Sequence, residues 1–202
     1  MRTGRALPAA AALACVCVAA CASTEAPTRP LASADQVEAH AAALAATERR
    51  ASAADRQAAR ELVVDGDAAY RAGRYDDAHR YFDNASPNAP SAYALLMTAD
   101  SHWRASVAHG RTPSSTSPAG CRLQRRYLVD DLRLDLNQGY LPGLRLAQIE
   151  PGHPLVGSAL LARAQDSASC LARLSDRLEP EPPDTCVDEA QIAACLGDPL
   201  HR

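Results

Sequence analysis

The residue types in this chain restrict the chemistry that it can perform. All 21 basic residues are Arg, so no lysine is available for a phosphate-binding G-K-[ST] loop, a Ser-Lys dyad or a Schiff base. None of the six His belongs to an H-E-x-x-H motif, and neither G-x-S-x-G nor G-x-G-x-x-G occurs. The groups left for acid–base work are a histidine pair and an acidic cluster.

Neither group forms a convincing catalytic pattern. His102 and His109 lie about two helical turns apart, and Asp100 lies two residues from His102, which places it on another helix face. The acidic cluster of Asp130, Asp131 and Asp135 has the pattern of a solvated helix face between leucines, although an acid–base pair within it remains the alternative. We therefore expect no enzyme activity, no cofactor and no metal site.

The composition predicts a helical protein. Aromatic residues make up 4% of the chain, and Ala, the best helix former, dominates. Strands rely on aromatic and β-branched residues, so an all-β domain is excluded. The formal net charge of −3 gives no basis for binding nucleic acid.

Residues 1–20 have the pattern of a signal peptide. Arg2 and Arg5 precede the charge-free residues 6–20, a stretch too short to cross a membrane comfortably. The stretch ends in Val18-Ala19-Ala20-Cys21, and here the chain resembles bacterial lipoproteins. The resemblance implies a lipid on Cys21 and, because Ala22 replaces the Asp of retained lipoproteins, anchoring at the periplasmic face of the outer membrane. An ordinary secretory signal with a chance Cys is the alternative.

The four cysteines outside this region predict two disulfides. Cys121, Cys170, Cys186 and Cys195 are even in number, as expected in an oxidising compartment. A four-thiolate metal site is less favoured because no C-x-x-C pair occurs among them.

Helix geometry favours one pairing. An intact helix would separate Cys186 from Cys195 by about 13–14 Å, more than a disulfide can span. If the last two helices form an antiparallel hairpin, Cys195 lies opposite Cys170, and Cys121 remains for Cys186. A frayed last helix would instead allow Cys186–Cys195 and Cys121–Cys170.

Residues 59–92 resemble a tetratricopeptide repeat, a pair of antiparallel helices. Gly66 falls at the close helix–helix contact, residues 73–75 at the turn, and Ala78, Phe82 and Ala85 on one face of the second helix. Two positions depart from the repeat: Asp65 replaces an apolar residue, and Ala69 replaces an aromatic one. A generic Ala-rich helical hairpin is the alternative.

The rest of the chain predicts a small capped domain. Residues 21–32 are expected to be a flexible tether and residues 33–202 a helical domain, whose first helix Ser33 caps. Residues 93–110 form a partial second repeat, which Ser91 caps. One and a half repeats cannot bury their own apolar faces, so residues 121–202 are expected to supply capping helices. A break is expected between these helices at residues 139–143. The predicted class is all-α: a tetratricopeptide-like hairpin domain, capped by C-terminal helices and stapled by disulfides.

The repeat resemblance also implies a binding surface. The first helix of each repeat lines the concave face, which here carries Arg60, Val63, Asp67, Tyr70 and Arg71 from the complete repeat and Met97, Ser101 and Arg104 from the partial one. Such a face suits an acidic or extended peptide. The shortage of repeats favours a face filled by the C-terminal helices slightly over an open one.

These features predict a lipid-anchored periplasmic scaffold or adaptor that binds another envelope protein, with no small-molecule substrate. The first alternative is an immunity or inhibitor lipoprotein that blocks a toxic enzyme. The second is an enzyme that acts on the cell wall.

Lipidation at Cys21 gives the first prediction. Cells that express the full chain should incorporate a fatty-acid probe into it, and Cys21→Ala should abolish the label because the acceptor thiol is lost. Cys17→Ser, inside the predicted signal, should keep the label. Label retained by Cys21→Ala would contradict the lipoprotein hypothesis.

Overall fold

The computed structural model describes residues 28–87, 89–110, 117–149, 152–179 and 186–200, and every regular element within these ranges is helical. This confirms the all-α prediction. The predicted signal peptide and Cys21 lie outside the described residues. The helices are α1 Ala34–Arg50, α2 Ala53–Arg71, α3 Tyr75–Ala85, α4 Ala92–His109, α5 Pro118–Asp135, α6 Leu141–Ile149, α7 Ala159–Leu178 and α8 Glu189–Leu196.

Serine side chains define where several helices begin. Ser33 and Ser52 form capping boxes with Gln36 and Asp55, and Ser91 accepts a hydrogen bond from the backbone N–H of Ala94. Each hydroxyl satisfies a backbone donor that the first helical turn leaves unpaired. The caps predicted at Ser33 and Ser91 are therefore confirmed.

Helices α2 and α3 form the hairpin that the spacing predicts. Gly73, with φ of +71°, lies in the turn between them. Ala78 and Phe82 are fully buried, and a Cβ built on Gly66 would lie 2.7 Å from the Phe82 ring. The absence of a side chain at Gly66 therefore lets the two helices touch.

Helix α4 lies at the centre of the domain. It packs against α3, α6 and α8, while α1 packs on α6, and α7 packs on both α5 and α8. Its Trp103, together with Leu132 of α5 and Leu171 of α7, belongs to one hydrophobic core. The C-terminal helices thus cover the apolar face that the helical hairpin exposes.

The predicted break at residues 139–143 is wrong. A single π-helical stretch, Leu136–Tyr140, joins α5 directly to α6. A Cβ on Gly139 would lie 2.7 Å from the Cβ of Ala99, and one on Gly143 would lie 3.0 Å from Leu96. These glycines therefore allow close contact with α4 and do not end the helix. The π-helical stretch, called the π turn below, lies just before Pro142, which lacks a backbone N–H.

Residues 28–32, predicted to be part of a flexible tether, belong to the folded body. The backbone N–H of Arg29 donates to Asp130 at 2.8 Å, and that of Ala32 donates to the Asn137 side chain at 2.8 Å. Polar side chains on α5 and the π turn thus satisfy backbone groups of this segment.

Two disulfides fasten the C-terminal elements. Cys121 is bonded to Cys186, with Cα atoms 4.5 Å apart, and Cys170 is bonded to Cys195, with Cα atoms 5.2 Å apart. This is the pairing that the antiparallel hairpin favours, since α7 packs against α8. The two bonds join α5 to the segment before α8, and α7 to α8 itself.

The Gly66–Phe82 contact gives the second prediction. Gly66→Leu should lower the free energy of unfolding by about 1–3 kcal/mol, because the added side chain would overlap the Phe82 ring. The matched control is Ala68→Leu at an exposed position of the same helix, which should change stability by less than about 0.5 kcal/mol. Urea unfolding measures both, and equal midpoints for the two variants would contradict the close contact.

Candidate binding surface

The C-terminal segment, residues 196–200, lies against α2, α4 and α7. Arg104, on α4, donates to the backbone carbonyls of residues 196, 197 and 198 at 2.9–3.3 Å. Arg163, on α7, donates to the carbonyls of Pro199 and Leu200 at 2.9 and 2.6 Å. Five consecutive carbonyls are thus held by two arginines.

A buried carboxylate holds Arg104 in place. Asp100 is 0% exposed and accepts hydrogen bonds from the Tyr70 hydroxyl, from Arg104 Nε at 2.7 Å and from the Tyr140 hydroxyl at 3.4 Å. Burial raises the pKa of Asp100, although Arg104 opposes the shift. The Tyr70 hydroxyl also accepts from the backbone N–H of Leu200 at 3.0 Å, which links the carboxylate to the end of the segment.

This arrangement closes the predicted concave surface. Tyr70, Met97, Ser101 and Arg104, which the repeat resemblance assigns to partner binding, are at most 8% exposed. Tyr70 and Arg104 contact the C-terminal segment and Met97 belongs to the core, so these residues do not line an open groove in this structure. The alternative in which C-terminal elements fill the face is therefore the one observed.

The other predicted binding residues lie at the edge of this face or outside it. Asp67 accepts from the Tyr93 hydroxyl at 2.5 Å and lies 3.7 Å from the guanidinium of Arg71. Arg60 is exposed and Val63 is half-buried. Arg60 and Val63 both line a separate cavity near the N-terminal half of α2.

We call this cavity the outer groove. It has a volume of about 400 Å³ and lies between α2, the end of α1 and the α3–α4 connection. Its floor is mainly apolar, and Val64 on its wall is 65% exposed. The groove is lined by Glu48, Arg56, Ala59, Arg60, Val63, Val64, Ala85, Ala89, Pro90, Ser91 and Tyr93.

The two arginines at the outer groove, Arg56 and Arg60, have different hydrogen-bond partners. Arg56 is engaged by Glu48, with Nε 2.9 Å from the carboxylate and a second nitrogen 2.7 Å from the Glu48 carbonyl. Arg60 instead donates to the neutral amide of Gln57 at 2.7 Å. A second, shallower cavity of about 520 Å³ shares Arg60 and Val64 with the outer groove. Val64 and Arg60 therefore lie where the two cavities meet, in the middle of an extended surface.

A separate cavity brings together histidines from two helices. His102 Nδ1 lies 2.5 Å from Asp135, and His79 Nδ1 lies 3.1 Å from the carbonyl of Thr98. The two rings are 5.2 Å apart at the edge of a cavity of about 310 Å³. His102 and Asp135 are 33 residues apart, so no local spacing in the sequence signals the pair.

His79 and His102 do not belong to a metal site among the described residues. Across the described ranges, no group of three or more His, Cys, Asp and Glu side chains is arranged to hold a metal ion. The Asp135 carboxylate orients the His102 ring, which is the role of the acidic partner in catalytic triads. We assign no reaction to His102.

No family model, curated protein or solved structure matches this chain. None of the helices described is long and apolar enough to cross a membrane.

The buried ion pair gives the third prediction. Asp100→Asn should destabilise the fold by about 3–5 kcal/mol, because Arg104 then keeps a largely buried charge without its counter-ion. Urea unfolding followed by the fluorescence of Trp103 measures the change. Asp65→Asn, at an exposed position of α2, is the control. A midpoint of Asp100→Asn equal to that of the control would show that the ion pair is dispensable.

Proposed function

We propose that this protein is a lipid-anchored periplasmic adaptor that binds a segment of another envelope protein in its outer groove. In this proposal Cys21 carries the lipid at the outer membrane, and α2 to α4 form a tetratricopeptide-like unit. The observation that carries the proposal is the outer groove itself, with Val64 65% exposed beside Arg60.

The hairpin packing supports the tetratricopeptide-like assignment. Gly66 meets the Phe82 ring where α2 and α3 pack together, and the small residues Ala78 and Ala85 are buried. Helix α4 then packs on α3, as the first helix of a following repeat would. The C-terminal segment occupies the side on which such repeats commonly bind peptides. The proposed partner therefore binds in the outer groove.

The lining of the outer groove suggests the chemistry of the partner. Ala59, Val63 and Tyr93 provide an apolar floor that would gain free energy by covering an aliphatic or aromatic side chain. Arg60, which contacts only a neutral amide among its described hydrogen bonds, favours a neighbouring carboxylate. The partner segment should therefore carry Asp or Glu next to a large apolar residue.

Peptide selection gives the fourth prediction. Random twelve-residue peptides displayed on phage, selected on the lipid-free Cys21→Ala chain, should be enriched in acidic residues beside Leu, Ile, Val or Phe. Val64→Asp and Arg60→Glu should each weaken a selected peptide at least about tenfold, since each change opposes one feature of the groove. Isothermal titration calorimetry measures these affinities.

The control is Arg173→Glu, an exposed charge reversal on α7, which should leave peptide affinity unchanged. Selected peptides without acidic residues, or with equal affinity for the Val64→Asp chain, would contradict the proposed groove. A photo-crosslinking residue at position 64 then identifies the partner in cells. Capture of a toxic enzyme there would replace the adaptor by the inhibitor hypothesis.

A further inference from the structure

Helix α5 presents two large apolar side chains to solvent. Leu123 is 53% exposed and Tyr127 is 56% exposed, and they lie four residues apart on one face of the helix. Arg122, which precedes Leu123, is also exposed and lies at the edge of this face, about 100° around the helix from Leu123. The pair needs an explanation because neither residue contributes to the core, although Leu128 and Leu132 on the same helix are buried.

The N-terminal segment enters the domain on the same face of α5. Asp130, which follows Tyr127 by three residues, accepts the hydrogen bond from the backbone N–H of Arg29. Along a helix this places Asp130 about 4.5 Å from Tyr127 and about 10 Å from Leu123. Thr28 is also fixed, since its hydroxyl donates to Glu179 at 2.5 Å.

The length of chain before Thr28 limits where the domain can sit. Seven residue steps separate Cys21 from Thr28, and a fully extended chain of that length reaches at most about 25 Å. If Cys21 carries the lipid, as the proposed function requires, the entry point lies within that distance of the bilayer surface. The exposed face of α5 lies beside this point.

We propose that the α5 face formed by Arg122, Leu123 and Tyr127 rests on the phospholipid surface and orients the anchored domain. Leu123 would enter the boundary between headgroups and acyl chains. Tyr127 carries an apolar ring with a polar hydroxyl, which suits the interface, and the Arg122 guanidinium matches lipid phosphate. The contact adds a second attachment to the lipid anchor and limits rotation of the domain about its tether.

This orientation would leave the outer groove accessible. Helix α2 packs on α3, α3 packs on α4, and α5 packs on α7 and the π turn. Helix α2 makes no substantial packing contact with α5 among the described residues, and no residue of α5 lines the outer groove. The adaptor would hold its partner segment away from the face that touches the membrane.

Fluorescence quenching by lipid tests this orientation. The lipidated full chain is reconstituted in vesicles of phosphatidylethanolamine and phosphatidylglycerol that contain brominated acyl chains. Tyr127→Trp should show blue-shifted emission and strong quenching relative to the wild type, whose single Trp103 is buried. The matched control is Val156→Trp, which starts from a 57% exposed residue before α7.

The control lies far from the tether. Helix α7 has 20 residues and is about 30 Å long, and Glu179, which holds Thr28, follows its other end. Equal quenching of the two introduced tryptophans, or none at position 127, would overturn the proposed orientation. A photo-crosslinker at position 127 that joins a protein in cells, and not lipid, would also overturn the proposed orientation.

Failure of the anchor is distinguishable from failure of the orientation. Intact-mass measurement reports whether the chain is acylated, and it does so independently of the fluorescence. An acylated chain without quenching at position 127 rejects the α5 contact alone. A chain without acyl groups rejects the lipid anchor, and with it the orientation that depends on it.

Discussion

The burial of Asp100 is the constraint on which the rest of this structure depends. A carboxylate removed from water is strongly destabilising unless its charge and lone pairs are satisfied, and here Arg104 and two tyrosine hydroxyls satisfy them. Arg104 then has further donors within the protein, which bond to the carbonyls of residues 196–198. One buried charge on α4 thus determines where the C-terminal segment lies.

The same network explains why the concave side of the helical hairpin is closed. Leu200 is 2% exposed, and the Cys170–Cys195 bond holds the chain just before the segment that ends in Leu200. Arg163 adds two hydrogen bonds from α7. A single helical hairpin cannot bury its apolar faces alone, and here the C-terminal segment covers part of them.

Small residues make this compact arrangement possible in a chain with few aromatics. Gly66, Gly139 and Gly143 each lie where a Cβ would come within 3.0 Å of a neighbouring side chain. Close approach of helix backbones replaces the packing that large side chains supply in other cores. Among the described residues, four large apolar side chains are exposed: Val64 at the outer groove, Leu123 and Tyr127 on the α5 face, and Val156 before α7. The proposed partner and membrane contacts use the first two places.

The sequence by itself determined the helical class, the hairpin from α2 to α3 and the helix starts at Ser33 and Ser91. It also favoured the disulfide pairing, because capping, small-residue spacing and helix rise are local or nearly local properties. It could not place Gly139 and Gly143 correctly, since a glycine that ends a helix and one that admits a neighbouring helix look alike in sequence. Only the tertiary structure paired His102 with Asp135, fixed residues 28–32 on α5 and moved the candidate site from Tyr70, Met97 and Arg104 to the outer groove. These features depend on contacts between residues 30 to 130 positions apart, and no spacing within a helix encodes them.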